Sequence, residues 1–216
     1  MKQYFVNNNS EELILFFGGW GMDERPFKPL KTKSDLLFVY NFTELSFAFD
    51  FSKYKKIHLI AYSYGVFMAA YCIEKLPLLT TKTAVNGTLK PIDENYGIPE
   101  KIFSLTLENM TMDTAMKFRE KLFKNKEHFD LFNRNQPHRD IDDSLAELGA
   151  LKNYFLSEKT PSLDYDNVYI SNRDRIIPTK NQTNYWTNFV KHKNIQTVDA
   201  GHFPFYNFEY IEDLIK

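Results

Sequence analysis

"KIHLIAYSYGVFMAAYCIEKL", residues 56–76, is the stretch on which the fold turns. Its first part, KIHLIAY (56–62), is an almost unbroken apolar run, the reading expected of a strand buried on both faces of a sheet. YGVFMAAYCIEKL (64–76) has the spacing of a helix. At the junction, AYSYG (61–65) sets Ser63 between two tyrosines, with Ala61 two residues before it and Gly65 two after. A sharp strand-to-helix turn needs small residues at those two positions, because the chain folds back against itself there and holds the central side chain outward as a nucleophile. Ala61 stands where glycine is usual and is the next-smallest residue. A serine hydroxyl becomes nucleophilic only beside an imidazole, itself held by a carboxylate, with two N–H donors aimed at the oxygen that turns negative.

Outward from this stretch, six further β-rich runs recur: QYFV (3–6), ELILFF (12–17), DLLFVYNF (35–42), TKTAVNG (81–87), DNVYISN (166–172) and NIQTVDA (194–200). Several are nearly continuous rather than alternating in hydrophobicity, which predicts a mostly parallel sheet covered by helices. Helical spacing returns over 179–192, with Pro178 placed for a first turn, and over the terminal FEYIEDLIK (208–216). Strand and helix in alternation predict the α/β class. From 99 to 157 no strand pattern occurs, while apolar residues fall at helical intervals. The expectation is a single domain over 1–216 with a helical cap inserted at 99–157.

The chain of 216 residues is 43% hydrophobic and 16% aromatic, enough to fill one sizeable core. Its 27 basic and 28 acidic residues nearly cancel, which argues against a nucleic-acid or anionic-membrane partner. No window approaches the roughly 18 apolar residues of a membrane span. The one cysteine, Cys72, fits a small buried hydrophobe in a reducing compartment, so a cytoplasmic protein is expected. The five histidines lack metal-ligand spacing, and no metal or cofactor is expected.

The partners of Ser63 should lie at the carboxyl ends of strands, where open α/β sheets build their sites. Asp174 falls four residues past Ile170 in DNVYISNRDRIIP, whereas Asp164 and Asp166 precede that strand and belong to the opposite edge. His202 follows the last strand in DAGHFPF, with Gly201 for the turn. His58 lies within a strand, His192 near a helix C-terminus, and His128 and His138 in the polar middle segment. LILFFGGWGMD (13–23) ends a strand in Gly18, Gly19, Trp20 and Gly21, a loop that lets backbone approach a ligand closely. The oxyanion donors are then the N–H groups of Trp20 and of Tyr64, the residue after the serine. GGWG lacks the spacing of a dinucleotide loop and the Gly-Lys-Ser/Thr ending of a phosphate loop. The chain order of glycine-rich loop, Ser63, Asp174 and His202 is that of the α/β-hydrolases.

Together, LILFFGGWGMD, the AYSYG turn, NGTLKPIDENYGIP (86–99) and the closing DAGHFPF resemble the BioG-type pimeloyl-acyl-carrier-protein methyl ester esterases of biotin synthesis, over essentially the whole chain. The resemblance implies that Ser63 attacks a methyl ester at the far end of a pimeloyl chain tethered to acyl-carrier protein. It also implies oxyanion donors on Trp20 and Tyr64. Phe17-Gly18 stands where many hydrolases have His-Gly, a departure that leaves the backbone donors of the loop untouched. The residues by themselves leave open a short-chain carboxylesterase or thioesterase on free substrates, or a ligand-binding protein that keeps the fold.

In the middle segment Phe103, Met110, Met112, Met116, Phe118, Phe123, Phe129 and Phe132 either line an acyl tunnel or form the cap's own core. Phe118 is the chosen pocket wall, and Gly19 is also assigned to the pocket. Arg119, Arg134 and Arg139, alongside Lys117, Lys121, Lys124 and Lys126, offer a basic docking surface for an acidic carrier, although Asp113, Glu120, Glu127, Asp130 and Asp140 dilute it and a solvated helix face explains the same charges.

Overall fold

A computed structural model describes residues 1–157, 159, 161–189 and 194–216. Seven strands form one sheet: β1 (Lys2–Val6), β2 (Glu12–Phe17), β3 (Asp35–Tyr40), β4 (Lys56–Tyr62), β5 (Thr81–Val85), β6 (Asn167–Ser171) and β7 (Asn194–Val198). Their order is β1-β3-β2-β4-β5-β6-β7, with β1 antiparallel to β3 and every other pairing parallel. Position in the sheet explains the sequence patterns. The central β2 and β4 are buried along nearly their whole length, whereas the edge strands β1 and β7 are mostly exposed.

Alternate residues of the central strands serve two cores. Leu13, Leu15, Phe17, Leu59 and Ala61 face α1 (Tyr64–Tyr71) and α6 (Thr179–Phe189). Ile14, Phe16, Phe38, Ile60 and Tyr62 face a second core holding Phe27, Phe203, Phe205 and Leu214. That face is covered mainly by short 3-10 turns and tightly clustered rings, with Phe27 and Phe205 centroids 4.9 Å apart.

Two expected helices are shorter than their patterns. The one after Ser63 ends at Tyr71, followed by a 3-10 turn over Ile73–Lys75, and Leu76 takes the extended conformation that Pro77 imposes on its predecessor. The terminal segment forms a 3-10 turn over Ile211–Ile215 rather than a helix over 208–216. Its backbone is claimed by the loop before β3: Lys31 N–H donates to the Glu209 carbonyl and Ile211 N–H to that of Lys31, both at 3.0 Å. The end of the 179–192 helix, His192 included, lies outside the described residues.

Between β5 and β6 run α2 (Glu100–Glu108), α3 (Met112–Lys121), α4 (Lys126–Arg134) and α5 (Ile141–Phe155). The starts of α3, α4 and α5 are fixed by side-chain caps, Thr111 for α3, Asn125 accepting the His128 N–H at 2.8 Å for α4, and Asp140 that of Asp143 at 2.7 Å for α5. Leu148 and Leu151 of α5 and Phe103 of α2 join the first core, while Leu122, Phe123 and Phe132 join the second.

Candidate active site

Ser63 sits between β4 and α1 with φ 56° and ψ −123°, a strained conformation for a residue with a side chain. The strain persists because both neighbouring peptide groups are tied: Ser63 N–H donates to Val85 O at 2.9 Å, and Val66 N–H to Ser63 O at 3.0 Å. Gly65 meets the steric demand read from the sequence, since a Cβ there would lie 2.4 Å from the Phe17 carbonyl oxygen. Gly19 is equally constrained, because its Cβ would lie 2.9 Å from the Tyr62 ring and 3.2 Å from Ser63 Cβ.

His202 Nε2 lies 2.8 Å from Ser63 Oγ, and His202 Nδ1 lies 2.7 Å from Asp174 Oδ2. All three residues are buried. The Asp174 carboxylate is held at each oxygen. Oδ1 accepts the N–H groups of Ile176 and Ile177 at 2.8 and 3.0 Å, and Oδ2 accepts from Gln182 Nε2 at 2.8 Å. With an acceptor at Nδ1, the imidazole carries its proton there and leaves the Nε2 lone pair toward the serine hydroxyl.

Two residues that the sequence reading passed over position this row. Asn86, at φ 47°, donates from Nδ2 to the His202 carbonyl at 2.7 Å and to Ser171 Oγ at 2.8 Å, while its Oδ1 accepts the Ser171 N–H at 2.7 Å. It thereby ties the ends of β5 and β6 to the histidine loop. Its signal in the sequence is Asn-Gly directly after a strand, a pair suited to positive φ. Gln182 is the other, and nothing in the helical pattern of α6 separates it from a surface glutamine.

Gly19, Trp20, Ser63, Tyr64, Phe103 and Phe118 line one cavity together with His202. Trp20 and Phe118 meet edge to face with centroids 5.1 Å apart. Tyr64 begins α1, so its N–H has no helical acceptor one turn back. The Tyr62 and Tyr64 hydroxyls are buried and have no hydrogen-bond partner among the described residues, and burial pushes both phenols well above their ordinary pKa. Of the remaining aromatic and methionine candidates, Met110 and Phe132 line an adjoining cavity, Met112 and Met116 are exposed, and Phe123 packs in the second core.

The loop bearing Trp20 is fastened at three consecutive residues to α5 and to Arg139, which lies just ahead of it. Trp20 Nε1 donates to Ser144 O at 2.6 Å, Gly21 N–H to Glu147 Oε2 at 3.0 Å, and Met22 O accepts from Arg139 Nη1 at 3.0 Å. Glu147 Oε1 also accepts the Phe42 N–H at 3.0 Å. Burial raises the Glu147 pKa, opposed by Arg139 and by these N–H donors.

The basic docking surface needs a correction. Arg139 is 8% exposed and is bound to Asp143, Glu147 and the Met22 carbonyl, so it is a structural cation with no face toward a partner. Arg119 is half-buried and donates to Gln136 Oε1 at 2.8 Å. Arg134 is exposed.

A parallel sheet with a strained serine at the β4–α1 turn places the chain among the α/β-hydrolases, and its relationships place it among the carboxylic ester hydrolases. It belongs to the family "Pimeloyl-ACP methyl esterase BioG", whose model matches residues 1–214. The crystal structure of BioG from Haemophilus influenzae superposes with a TM-score of 0.91 at 33% identity, covering 100% of both chains. An uncharacterized protein of H. influenzae is 36% identical over 211 residues, 96% of each chain. A malonyl-acyl-carrier-protein O-methyltransferase of Bacteroides fragilis is 36% identical over 198 residues, 89% of this chain but 40% of that protein. The esterase EaEST of Exiguobacterium antarcticum shares the fold, with a TM-score of 0.67 at 12% identity over 95% of this chain and 89% of its own. Among the described residues, no helix is long and apolar enough to cross a membrane.

Proposed function

We propose that Ser63, His202 and Asp174 form the catalytic triad of a pimeloyl-acyl-carrier-protein methyl esterase, acting in the cytoplasm. The observation that carries this reading is the row from Ser63 Oγ to His202 Nε2, 2.8 Å, and from His202 Nδ1 to Asp174 Oδ2, 2.7 Å. Ser63 Oγ attacks the methyl ester carbonyl while its proton passes to His202 Nε2. The negative oxygen of the tetrahedral intermediate is met by the N–H groups of Trp20 and Tyr64. As the intermediate collapses, His202 returns the proton to the leaving methoxide and methanol departs. A water molecule then gives a proton to His202 as it attacks the acyl-Ser63 carbonyl, and His202 passes that proton to Ser63 Oγ as the acyl–oxygen bond breaks, restoring the serine and releasing the pimeloyl acid, which ionises to the carboxylate in solvent. No cofactor or metal takes part in these steps.

Residues 99–157 act as a helical cap over this end of a single domain. Support comes from the cavity at Ser63, lined by Gly19 and Trp20 together with Phe103, Phe118 and Leu148 from that segment. Acyl-carrier protein approaches the exposed face of the cap, where Arg134 stands in solvent. Parallel assays of carrier-bound and free pimelate methyl ester test the reading, with Ser63→Ala as the control. Faster turnover of the carrier-bound ester, abolished in the variant, is the expected outcome. Equal turnover of both would favour an esterase of free substrates.

A further inference from the structure

The helices α2 and α3 turn matching faces toward one another without closing. Ile102, Leu105 and Thr106 of α2 and Lys117, Phe118 and Lys121 of α3 recur at helical three- and four-residue intervals, and together they wall an open groove. Helices that present apolar residues at this spacing ordinarily bury them against each other. Here Ile102 is 52% and Leu105 46% exposed, and α3 has no buried residue along its length. Ile102, Thr106, Phe118 and Lys121 also line the cavity at Ser63, so the groove is that cavity's outward continuation.

The residues along the groove specify its occupant. Ser63 is 6% exposed, too deep for any folded protein to touch, so whatever delivers an ester to it must be thin and extended. The floor is apolar and suits a chain of methylenes. At the rim stand two ammonium groups one helical turn apart, and among the described residues neither Lys117 nor Lys121 forms an ion pair. Lysines so placed act as point charges for a phosphate. On the reading of the enzyme as a methyl esterase of a carrier-bound acyl chain, we infer that the α2–α3 groove seats the phosphorylated pantetheine arm of the carrier, with Lys117 and Lys121 meeting its phosphodiester. The cation pair fixes the distant end of the arm and thereby sets which atom of the acyl chain reaches Ser63.

The test compares methyl pimeloyl thioesters of phosphopantetheine and of pantetheine, which differ only in the phosphate. Wild-type enzyme should favour the phosphorylated thioester by about tenfold in kcat/KM, expressed mainly in KM, and the preference should shrink as salt rises. In Lys117→Met/Lys121→Met the preference should fall to within twofold, and Lys117→Gln alone should give an intermediate value. A double variant that keeps the full preference would overturn the assignment. So would one that loses activity only toward the complete carrier protein, because the protein surface rather than the arm would then be recognised. Either result leaves the esterase reading standing, whereas wild-type enzyme that cleaves no pimeloyl methyl ester on any carrier removes that reading and the groove assignment with it.

Discussion

Arg139 Nη2 and Glu147 Oε2 lie 3.1 Å apart, with side chains 2% and 0% exposed, and between them they hold the peptide groups of Gly21 and Met22. The pair joins α5 to the loop that carries Trp20. Removing Arg139 strands the buried Glu147 carboxylate without a counter-ion, which in buried pairs costs about 3–5 kcal/mol, whereas removing Glu147 leaves Arg139 its second partner, Asp143. Arg139→Ala should therefore lower unfolding stability by an amount of that order in urea titration, and Glu147→Ala by less. Glu147→Leu combined with Arg139→Met should be less damaging than either single change, a non-additivity that a double-mutant cycle reads directly. Glu147→Gln keeps an acceptor for one of the two backbone N–H groups and should reduce kcat more than it reduces stability.

Gly19 tests how closely the loop must approach the serine. The Cβ introduced by Gly19→Ala meets the Tyr62 ring, which is itself wedged against His202 with centroids 5.2 Å apart. The loop must withdraw, carrying the Trp20 N–H with it. Loss of one oxyanion donor costs roughly 10²–10³ in kcat, and Gly19→Ala should fall in that range with far-ultraviolet circular dichroism unaltered.

Asn86 is assigned a positioning role through the His202 carbonyl. Asn86→Ala should lower kcat by about tenfold or more with little change in KM, the pattern of an interaction that matters in the transition state. A purely structural role would lower the melting temperature while leaving kcat per folded molecule at the wild-type value.

Acid stability should depend on Asp35, at the start of β3. Burial works to raise its pKa, but hydrogen bonds from Lys53, the Ser10 N–H, Tyr54 and the Asn8 N–H outweigh it and hold the group at about 2. A carboxyl depressed in the folded state contributes stability that is complete above its ordinary pKa and is lost as pH falls through the folded value. Wild-type stability should thus decline between about pH 4 and pH 2. Asp35→Asn should be less stable at neutral pH and should lose part of that acid limb. An unchanged slope in the variant would contradict the assignment.

The seven strands were legible because most are continuous apolar runs ending in small or polar residues, and the α2–α5 segment because its apolar residues keep helical period. The ends were harder to read. The periodicity of 208–216 could not announce that its backbone is hydrogen-bonded to Lys31. At the site, Ser63, Asp174 and His202 could be chosen because each follows a strand, a property that survives in one dimension. Arg139 and Glu147 could not: charges at helical spacing read as a solvated face, and only the fold brings Gly21 and Phe42 from more than a hundred positions away to be held there. Gln182 escaped for the same reason, since its partner Asp174 lies one helix start away in space but carries no mark on the helix pattern.

The most direct measurement is the intact mass of carrier-bound methyl pimelate after incubation with wild-type enzyme, with Ser63→Ala and with His202→Ala. The account predicts conversion to the free pimeloyl acid by wild type, with an acyl-enzyme trapped at low temperature, and loss of both signals in the two variants. Conversion by Ser63→Ala at a rate near wild type would show that the ester is cleaved by some other group, and the role given to the Ser63–His202–Asp174 row would have to be abandoned.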